Sequence, residues 1–296
     1  MSITPGFNRG RRGRPHPIAP TGRDKTNNMK EPQMNPQEFN DLQEKALSLL
    51  QPLILDAHEM VLKKKAKPKD SRFRSHFNGD PYFEPGEQWP TVSVKKQVQP
   101  YDFIFQVVND GTFGLPKNIA VFQFYYNWDL GPWDTESKGW LVKTYSKIDR
   151  ENGITIASPV VREEDWEKED RKYCDVTFEP IRVLPCWYTI ENDGTKKEIA
   201  NLVKELEKLK FDQKKEYGLK QHDFEIYDQL CHKLQVKTDA LSYYGGYPRW
   251  VQYPEAKGHK FAFEIEGEAA GLYDGVFYLF FDGKNDGKFQ FVAQYS

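Results

Sequence analysis

The sequence predicts an α+β fold in which most of the chain forms an antiparallel sheet built from two similar β-rich repeats. Segments rich in β-branched and aromatic residues, separated by Gly, Pro and Asn-Asp pairs, indicate strands. Two regions with apolar residues at helical spacing indicate an N-terminal helix and a central helical insertion. Three short blocks recur in the same order in both halves of the chain, which indicates an internal duplication.

The N-terminal part of the chain differs in composition from the rest. The stretch "RGRRGRPHP" concentrates arginine among glycine and proline and has nothing to bury, so we expect a disordered basic tail over 1–33. The same charges fit a nucleic-acid-binding arm as well as a solvated leader, and Met29 and Met34 also allow a start further along the chain. We expect residues 34–296 to form a single domain.

An N-terminal helix is predicted to begin at Pro36, because Asn35 is a favourable N-cap and proline suits the first helical position. Its apolar face consists of Phe39, Leu42, Ala46, Leu49 and Leu50. Pro52 disfavours helix at the residue before it, so we expect a kink or a new helix start there. Apolar residues at helical spacing, Leu53 to Val61, then predict helix up to the lysines at 63–65.

Three regions follow this helix. Repeat one is expected over about 71–190, where "YDFIFQVV", "NIAVFQFYY" and "DVTFEPIRVL" have strand composition. A helical connection is expected over about 195–236, and repeat two over about 240–296.

The helical connection contains two predicted helices. The first is expected over 195–210, where Thr195 and Glu198 have the spacing of a capping box. The second is expected from about Asp223 to Leu234, with an apolar face turned inward.

The repeats are defined by three pairs of blocks. The pairs are "SHFNGDP" (75–81) with "SYYGGYP" (242–248), "FIFQV" (103–107) with "FAFEI" (261–265), and "VFQFYY" (121–126) with "VFYLFF" (276–281). One such pair arises easily by chance, since aromatic strands resemble each other. Three pairs in the same order predict a duplicated structural unit.

The first block of each repeat predicts a structural corner at which a strand starts or ends. Gly79 and Gly246 are expected where φ is positive or where another backbone comes close. Pro81 and Pro248 fix their own φ and favour an extended residue before them. Because both repeats keep these four residues, we interpret them as architecture.

The second and third blocks predict paired strands. Alternate residues of a strand share a face. The residues expected on the apolar faces are Phe103, Phe105, Val107, Phe261, Phe263 and Ile265. Gln106 and Glu264 are then expected at equivalent positions on the opposite faces. The third block is apolar on both faces, which is typical of a central, covered strand.

The order of these motifs resembles the YwqG-like family of domains of unknown function. The matching elements are the corner of Gly79 and Pro81, the Glu-x-Trp-Pro element of Glu87, Trp89 and Pro90, the strand glutamine Gln106, the aromatic strand at 122–124, and the Gly-x-Pro-x-x-x-Gln segment of Gly246, Pro248 and Gln252. The resemblance covers roughly residues 40–293. The family usually has a Trp-Gly-Asp-like element before the last strand, whereas "GLYDGV" here keeps Asp274 and lacks the tryptophan.

This resemblance implies an α+β architecture rich in antiparallel sheet, and it implies no established reaction. Some relatives lie in toxin-immunity neighbourhoods of bacterial genomes, so an immunity-like role is one expectation. The segment "GLYDGV" lacks the tryptophan of the family. If that tryptophan lines a site in relatives, the resemblance implies that the site is altered in this chain.

Motifs that carry catalysis are missing from the sequence. None of the six histidines forms a helix-based metal pair, and there is no nucleophile elbow or phosphate-binding loop. The cysteines Cys174, Cys186 and Cys231 lack metal-ligand spacing and are expected to be reduced thiols of a cytoplasmic protein. We therefore predict no catalytic residue, no metal and no cofactor.

Binding is better supported than catalysis. If the repeats pack about a pseudo-twofold axis, their corners are expected to face a shared cleft that offers aromatic area with polar groups. The candidate binding residues are Trp89, Gln106, Arg249, Trp250, Gln252, Glu264 and Asp274. The competing interpretation is that these aromatic residues only close the ends of a barrel or sandwich.

Three functions stay open on this basis. The favoured one is a non-enzymatic binding or protein-interaction domain, with a protein partner and a small-molecule ligand both compatible. The alternative is an enzyme that acts on a small metabolite in a cleft between the repeats, using Glu264, Asp274 or Gln252. The second alternative is nucleic-acid contact through the basic arm, which the net charge of −2 does not favour. No apolar run is long enough to cross a bilayer, so we expect no membrane contact.

Overall fold

A ten-stranded antiparallel sheet organises the described part of the chain. The structure is a computed structural model, and it describes residues 36–130, 138–160, 172–214, 225–240, 242–252, 259–267, 275–281 and 288–295. The predicted tail, 1–33, lies outside the described residues. Residues 35–296 form one compact unit.

The sheet contains most of the strands, and short ladders contain the others. The strands are β1 Leu55–Lys64, β2 His76–Phe77, β3 Tyr82–Phe83, β4 Thr91–Val94, β5 Gln97–Pro100, β6 Asp102–Val108, β7 Val121–Tyr126, β8 Trp140–Tyr145, β9 Ile154–Thr155, β10 Cys174–Val183, β11 Tyr243–Tyr244, β12 Lys260–Glu266, β13 Gly275–Phe281 and β14 Phe289–Tyr295. The sheet order is β14-β13-β12-β11-β1-β10-β2-β6-β7-β8, while β3 pairs with β9 and β4 with β5.

The helices pack against each other in a second layer. They are α1 Pro36–Leu50, α2 Trp187–Asn192, α3 Lys197–Lys214 and α4 Glu225–Lys233. Ala46 and Leu50 of α1 lie in one apolar cluster with Val203 and Leu206 of α3 and with Leu230 of α4. The predicted α+β class, with an N-terminal helix and a central helical insertion, is therefore confirmed.

The start of α3 differs from the predicted capping box. A 3-10 turn, Gly194–Lys196, precedes the helix, and the side chain of Asp193 accepts hydrogen bonds from the backbone N–H and the hydroxyl of Thr195. The carboxylate of Glu198 instead pairs with Lys45 of α1 at 2.9 Å. An aspartate at the position before the turn supplies the acceptor that the exposed N–H groups need, so Thr195 is not the cap.

The prediction of helix from Leu53 to Val61 is wrong. Only the 3-10 turn Gln51–Leu53 follows α1, and β1 then begins at Leu55. In β1 the buried Ala57 belongs to one apolar cluster and the buried Met60 to the opposite one. Because both faces of this central strand are covered, its apolar residues lose the alternation of a half-buried strand and imitate helical spacing.

The order of the sheet is symmetrical about the pair formed by β1 and β10. On one side lie β2, β6, β7 and β8, and on the other lie β11, β12, β13 and β14. The side chain of Ser75 accepts a hydrogen bond from the N–H of Val108, and that of Ser242 accepts one from the N–H of Glu266, at 2.9 and 3.0 Å. These matched contacts favour the predicted duplication, which stays a prediction.

The expected side-chain alternation in β6 and β12 is interrupted at the same place. The register of β6 shifts between Phe103 and Phe105, and that of β12 shifts between Phe261 and Phe263. A bulge inserts one residue and moves the following side chains to the other face. Phe103 and Phe261 therefore lie in the outer apolar clusters, and the expectation that each shares a face with the next phenylalanine is wrong.

The inner faces of the two half-sheets pack against each other. The ring centroids of Phe105 and Phe263 are 5.5 Å apart, and those of Phe124 and Phe277 are 5.8 Å apart. Aromatic pairs at such distances contribute about 0.5–1.5 kcal/mol each beyond the area they bury. This shared core fixes the half-sheets, so that the corner of each repeat lies on an outer face.

Candidate functional site

The predicted corner of the second repeat directly precedes three of the candidate binding residues, Arg249, Trp250 and Gln252. Gly245 and Gly246 have φ values of +79° and +73°, and they end strand β11. In the first repeat Asn78 and Gly79 have φ values of +55° and +77°. The predicted positive φ at Gly79 and Gly246 is therefore confirmed, and the turn leads the chain directly to Arg249.

The residue that follows each corner proline is held by two strand side chains. These side chains occupy equivalent positions in the two halves of the sheet. The N–H of Tyr82 donates to Gln106 Oε1 at 2.9 Å, and the N–H of Arg249 donates to Glu264 Oε2 at 2.7 Å. The carbonyl of Tyr82 accepts from a strand β7 side chain, and the carbonyl of Arg249 accepts from the hydroxyl of Tyr278 at 2.7 Å. Gln106 and Glu264 are thus anchors of the two corners.

Glu264 and Arg249 form a buried ion pair. The carboxylate also accepts hydrogen bonds from the guanidinium Nε and Nη2 at 3.1 and 2.9 Å and from the hydroxyl of Tyr243 at 2.9 Å. The Glu264 side chain is 3% exposed and that of Arg249 is 27% exposed. Burial raises the pKa of Glu264 to about 7, against the opposing effect of Arg249. Burial lowers the pKa of Arg249, but the Glu264 carboxylate, together with Tyr243, reverses this effect and raises it.

This pair makes a prediction about pH. The ordinary pKa of the glutamate is 4.5, so between pH 4.5 and about 7 the folded protein retains a proton that the unfolded chain has released. The contribution of Glu264 to stability is therefore complete below pH 4.5 and is lost as the pH rises through about 7. We expect the free energy of unfolding of the wild type, relative to Glu264→Gln, to fall over this range by on the order of 2–3 kcal/mol.

Urea denaturation of both proteins at several pH values measures this difference. A difference that stays constant from pH 4.5 to 8 would contradict the raised pKa of Glu264.

Trp250 and Gln252 continue the segment beyond the ion pair. The Trp250 side chain is buried, at 6% exposure, and stacks on Phe280 with the ring centroids 5.8 Å apart. Gln252 is exposed, and its amide donates to the carbonyl of Tyr295 at 2.7 Å. The segment is therefore tied to β13 by ring contacts and to both β13 and β14 by hydrogen bonds.

The other candidate residues lie elsewhere. Trp89 packs on Phe83 and Tyr125 in the outer cluster of the first half-sheet, and its indole N–H donates to the carbonyl of Tyr101 at 2.8 Å. Gln106 is buried beneath that half-sheet's corner. Asp274 lies outside the described residues.

The expectation that the two corners face a shared cleft is wrong. Trp89 and Trp250 belong to separate apolar clusters, on the outer faces of opposite half-sheets. The cleft between the repeats is instead filled by the aromatic side chains of the shared core. The corners are held by Gln106 and Glu264, which alternate along their strands with residues of the shared core, so each corner lies on the opposite, outer face.

A cavity of about 220 Å³ lies where the helical layer covers the second corner. We call it the corner cavity. Its lining residues are Leu184, Pro185, Cys186, Trp187, Tyr188, Tyr227, Asp228, Cys231, Val236, Lys237, Thr238, Arg249 and Trp250. Ligand pockets are concave and mostly apolar with a few polar groups, and this cavity has that composition.

Two walls of the corner cavity come from helices. The rings of Trp187 in α2 and Tyr227 in α4 are 5.6 Å apart, and the Tyr227 hydroxyl donates to the carbonyl of Pro185. Asp228 is exposed as a residue, but its carboxyl group is partly buried, and this burial raises its pKa. Burial raises the pKa of the Cys231 thiol to about 12, so this sulfur stays protonated and apolar in character.

Sequence reasoning missed the helical walls. Tyr227 and Cys231 fit the apolar face of a helix, and nothing in their spacing shows which surface that face covers. A weak signal was available in "PCWY", where two aromatic residues begin the helix that follows the end of a strand. Only the packing of α2 and α4 over the corner brings these residues to Arg249 and Trp250.

The chemistry of this region is limited. Within the described ranges, no group of three or more His, Cys, Asp and Glu side chains is placed to hold a metal ion. The thiols of Cys174, Cys186 and Cys231 are free. No helix in the part of the chain that the structure describes is both long and apolar enough to cross a membrane.

No protein-family model matches the sequence, and no curated protein matches it significantly. The fold and the cavity define an α+β protein with an aromatic cavity between its helical layer and one corner of its sheet. The resemblance to the YwqG-like family stays a prediction from the motifs.

Proposed function

We propose that this chain is a non-enzymatic binding protein whose recognition site is the corner cavity. The observation that carries the proposal is the cavity itself, in which Arg249 and Trp250 meet the aromatic walls of the helical layer. A volume of about 220 Å³ accommodates one large side chain or a small organic molecule, somewhat less than ordinary ligand pockets hold. The corner cavity therefore recognises a single chemical group.

The contacts of Glu264 support binding over catalysis. A general base must reach the proton it removes, whereas this carboxylate is buried and accepts hydrogen bonds from Arg249 and Tyr243. Gln252 is likewise engaged with a backbone carbonyl. Two of the three residues named for an enzymatic function thus have structural partners, and the third lies outside the described residues.

The proposal is tested by blocking the cavity at Cys186. We expect Cys186→Phe to abolish fragment binding at the corner cavity, because the larger ring fills the space, while Cys186→Ser keeps the volume and the binding. The measurement uses protein labelled with ¹⁵N at its tryptophan side chains and a library of small organic fragments. Binding is read from the indole signals of Trp187 and Trp250, and the Trp89 signal serves as the internal control.

Thermal unfolding shows whether each variant is folded. If no fragment moves the Trp187 and Trp250 signals, or if the movements persist in Cys186→Phe, the corner cavity is not the binding site and the proposal fails.

The proposed biological role and cellular location are supported by the motif resemblance and by the cysteines, and not by the corner cavity. An immunity-like role with a protein partner is supported only by the motif resemblance, and within that role the corner cavity is the place where we propose that a partner inserts its side chain. The three free thiols support the proposal of a reducing, cytoplasmic environment. Nucleic-acid contact through the basic arm concerns residues outside the described ranges.

A further inference from the structure

The walls of the corner cavity present aromatic rings from three elements. Trp187 and Tyr188 come from α2, Tyr227 comes from α4, and Trp250 comes from the corner segment. The face of an aromatic ring carries negative electrostatic potential, which attracts an organic cation that has been removed from water. Trp provides the strongest such attraction, and two of the four rings are tryptophans.

The charged side chains that line the cavity differ in whether they have a partner of opposite charge. Arg249 is paired with Glu264 at 2.9 Å. The ammonium of Lys237 lies 3.5 Å from Glu59 and 3.4 Å from Asp239. Both cations are therefore already compensated by carboxylates.

Asp228 is different from these groups. Its carboxylate has no ion-pair or hydrogen-bond partner among the described residues, and its electrostatic neighbour is His232, one helical turn along α4. At pH 8 the cavity's charged residues and their partners carry two positive charges against four negative ones. The unbalanced charge at the corner cavity is thus negative.

We propose that the corner cavity recognises an alkylammonium group, held between the aromatic walls with Asp228 as its counter-ion. This inference rests on the proposed function and specifies the chemistry of the ligand. The same group occurs in small quaternary amines and in methylated lysine side chains, and the experiment below includes both sources.

The test compares three molecules of nearly the same shape. Choline carries a positive charge, 3,3-dimethylbutan-1-ol is neutral, and 3,3-dimethylbutanoate is negative. Each is titrated at pH 8 into protein with ¹⁵N-labelled tryptophan side chains. We expect choline to bind at least about fivefold more tightly than the alcohol, read from Trp187 and Trp250, and the anion to bind least.

Two variants on one helix form the matched control. Asp228→Asn is expected to reduce the preference for choline over the alcohol to less than about twofold, because it removes the counter-ion. Glu225→Gln makes the same change of charge three residues away, but its carboxylate is engaged with Lys210 at 2.8 Å. This control is expected to keep the full preference, and thermal unfolding of both variants checks that each is folded.

The source of the alkylammonium group is distinguished by a fourth ligand, Nα-acetyl-trimethyllysine amide. Tighter binding of this compound than of choline indicates a protein side chain, and tighter binding of choline indicates a free amine. An equal or higher affinity for the alcohol or the anion overturns the inference and leaves the binding function intact. An undiminished preference in Asp228→Asn also overturns it. Failure of the proposed binding function is tested separately, by the fragment experiment with Cys186→Phe.

Discussion

Replacing Arg249 with methionine is expected to lower the free energy of unfolding by about 3–5 kcal/mol at pH 8. Methionine approximates the length of the arginine stem, so little packing is lost. The carboxylate of Glu264 is then left buried without its cation, with the backbone N–H at residue 249 and the hydroxyl of Tyr243 as its donors. Since small domains are stable by about 5–15 kcal/mol in total, this is a large fraction, and urea denaturation at pH 8 measures it.

The first repeat supplies the control for this prediction. It uses a neutral amide, Gln106, at the position of Glu264, and the hydrogen-bond partners that the structure describes for this amide are backbone groups and the Gln123 side chain. We therefore expect the double variant Arg249→Met/Glu264→Gln to regain at least half of the lost stability. A double variant that is no more stable than Arg249→Met would show that the loss comes from packing and not from an unpaired charge.

Gly246→Ala is expected to destabilise the protein by about 2–5 kcal/mol. A β-carbon at this position would adopt an unfavourable positive φ, which costs about 1–2 kcal/mol. It would also lie far inside van der Waals contact with Val183 Cγ2, and overpacking of this kind costs a further 1–3 kcal/mol or so. Chemical denaturation of the purified variant measures the sum of both effects.

Gly245→Ala separates the two effects. This residue has a similar φ of +79°, but the nearest atom to an added β-carbon is Asp56 O at 3.8 Å. We expect only the backbone strain, about 1–2 kcal/mol. Equal losses at Gly245 and Gly246 would refute the close approach to Val183.

The fold class was predictable because its signals are local. Pro36 starts a helix by its fixed φ, and the aromatic composition of "VFQFYY" is unfavourable in any exposed setting, so a covered strand follows. The positive φ at Gly79 and Gly246 was predictable from the repeated glycine, since few other residues tolerate that conformation. Each of these inferences depends on a residue and its near neighbours.

What could not be predicted depends on distant parts of the chain. Leu55–Lys64 became a strand because β10 and β11 pair with it from both sides, and tertiary pairing overrides its helical spacing. The outward position of Phe103 depends on a bulge that no composition reveals. At the site, Arg249 and Trp250 were predicted as candidate binding residues, whereas Asp228 has no sequence signal, because an exposed helical aspartate is ordinary.

The pairing of β1 has a consequence during synthesis, because its two partner strands are made long after it. During synthesis β1 emerges first, and its full-length partner β10 emerges only after the whole first half-sheet. The other edge of β1 must wait longer still, until β11 follows α4. In that interval the central strand has an unpaired edge with open N–H and C=O groups, the kind of edge that other chains can join. The growing chain is therefore open to aggregation at this edge until β11 is made, and the corner segment that carries Arg249 and Trp250 follows directly.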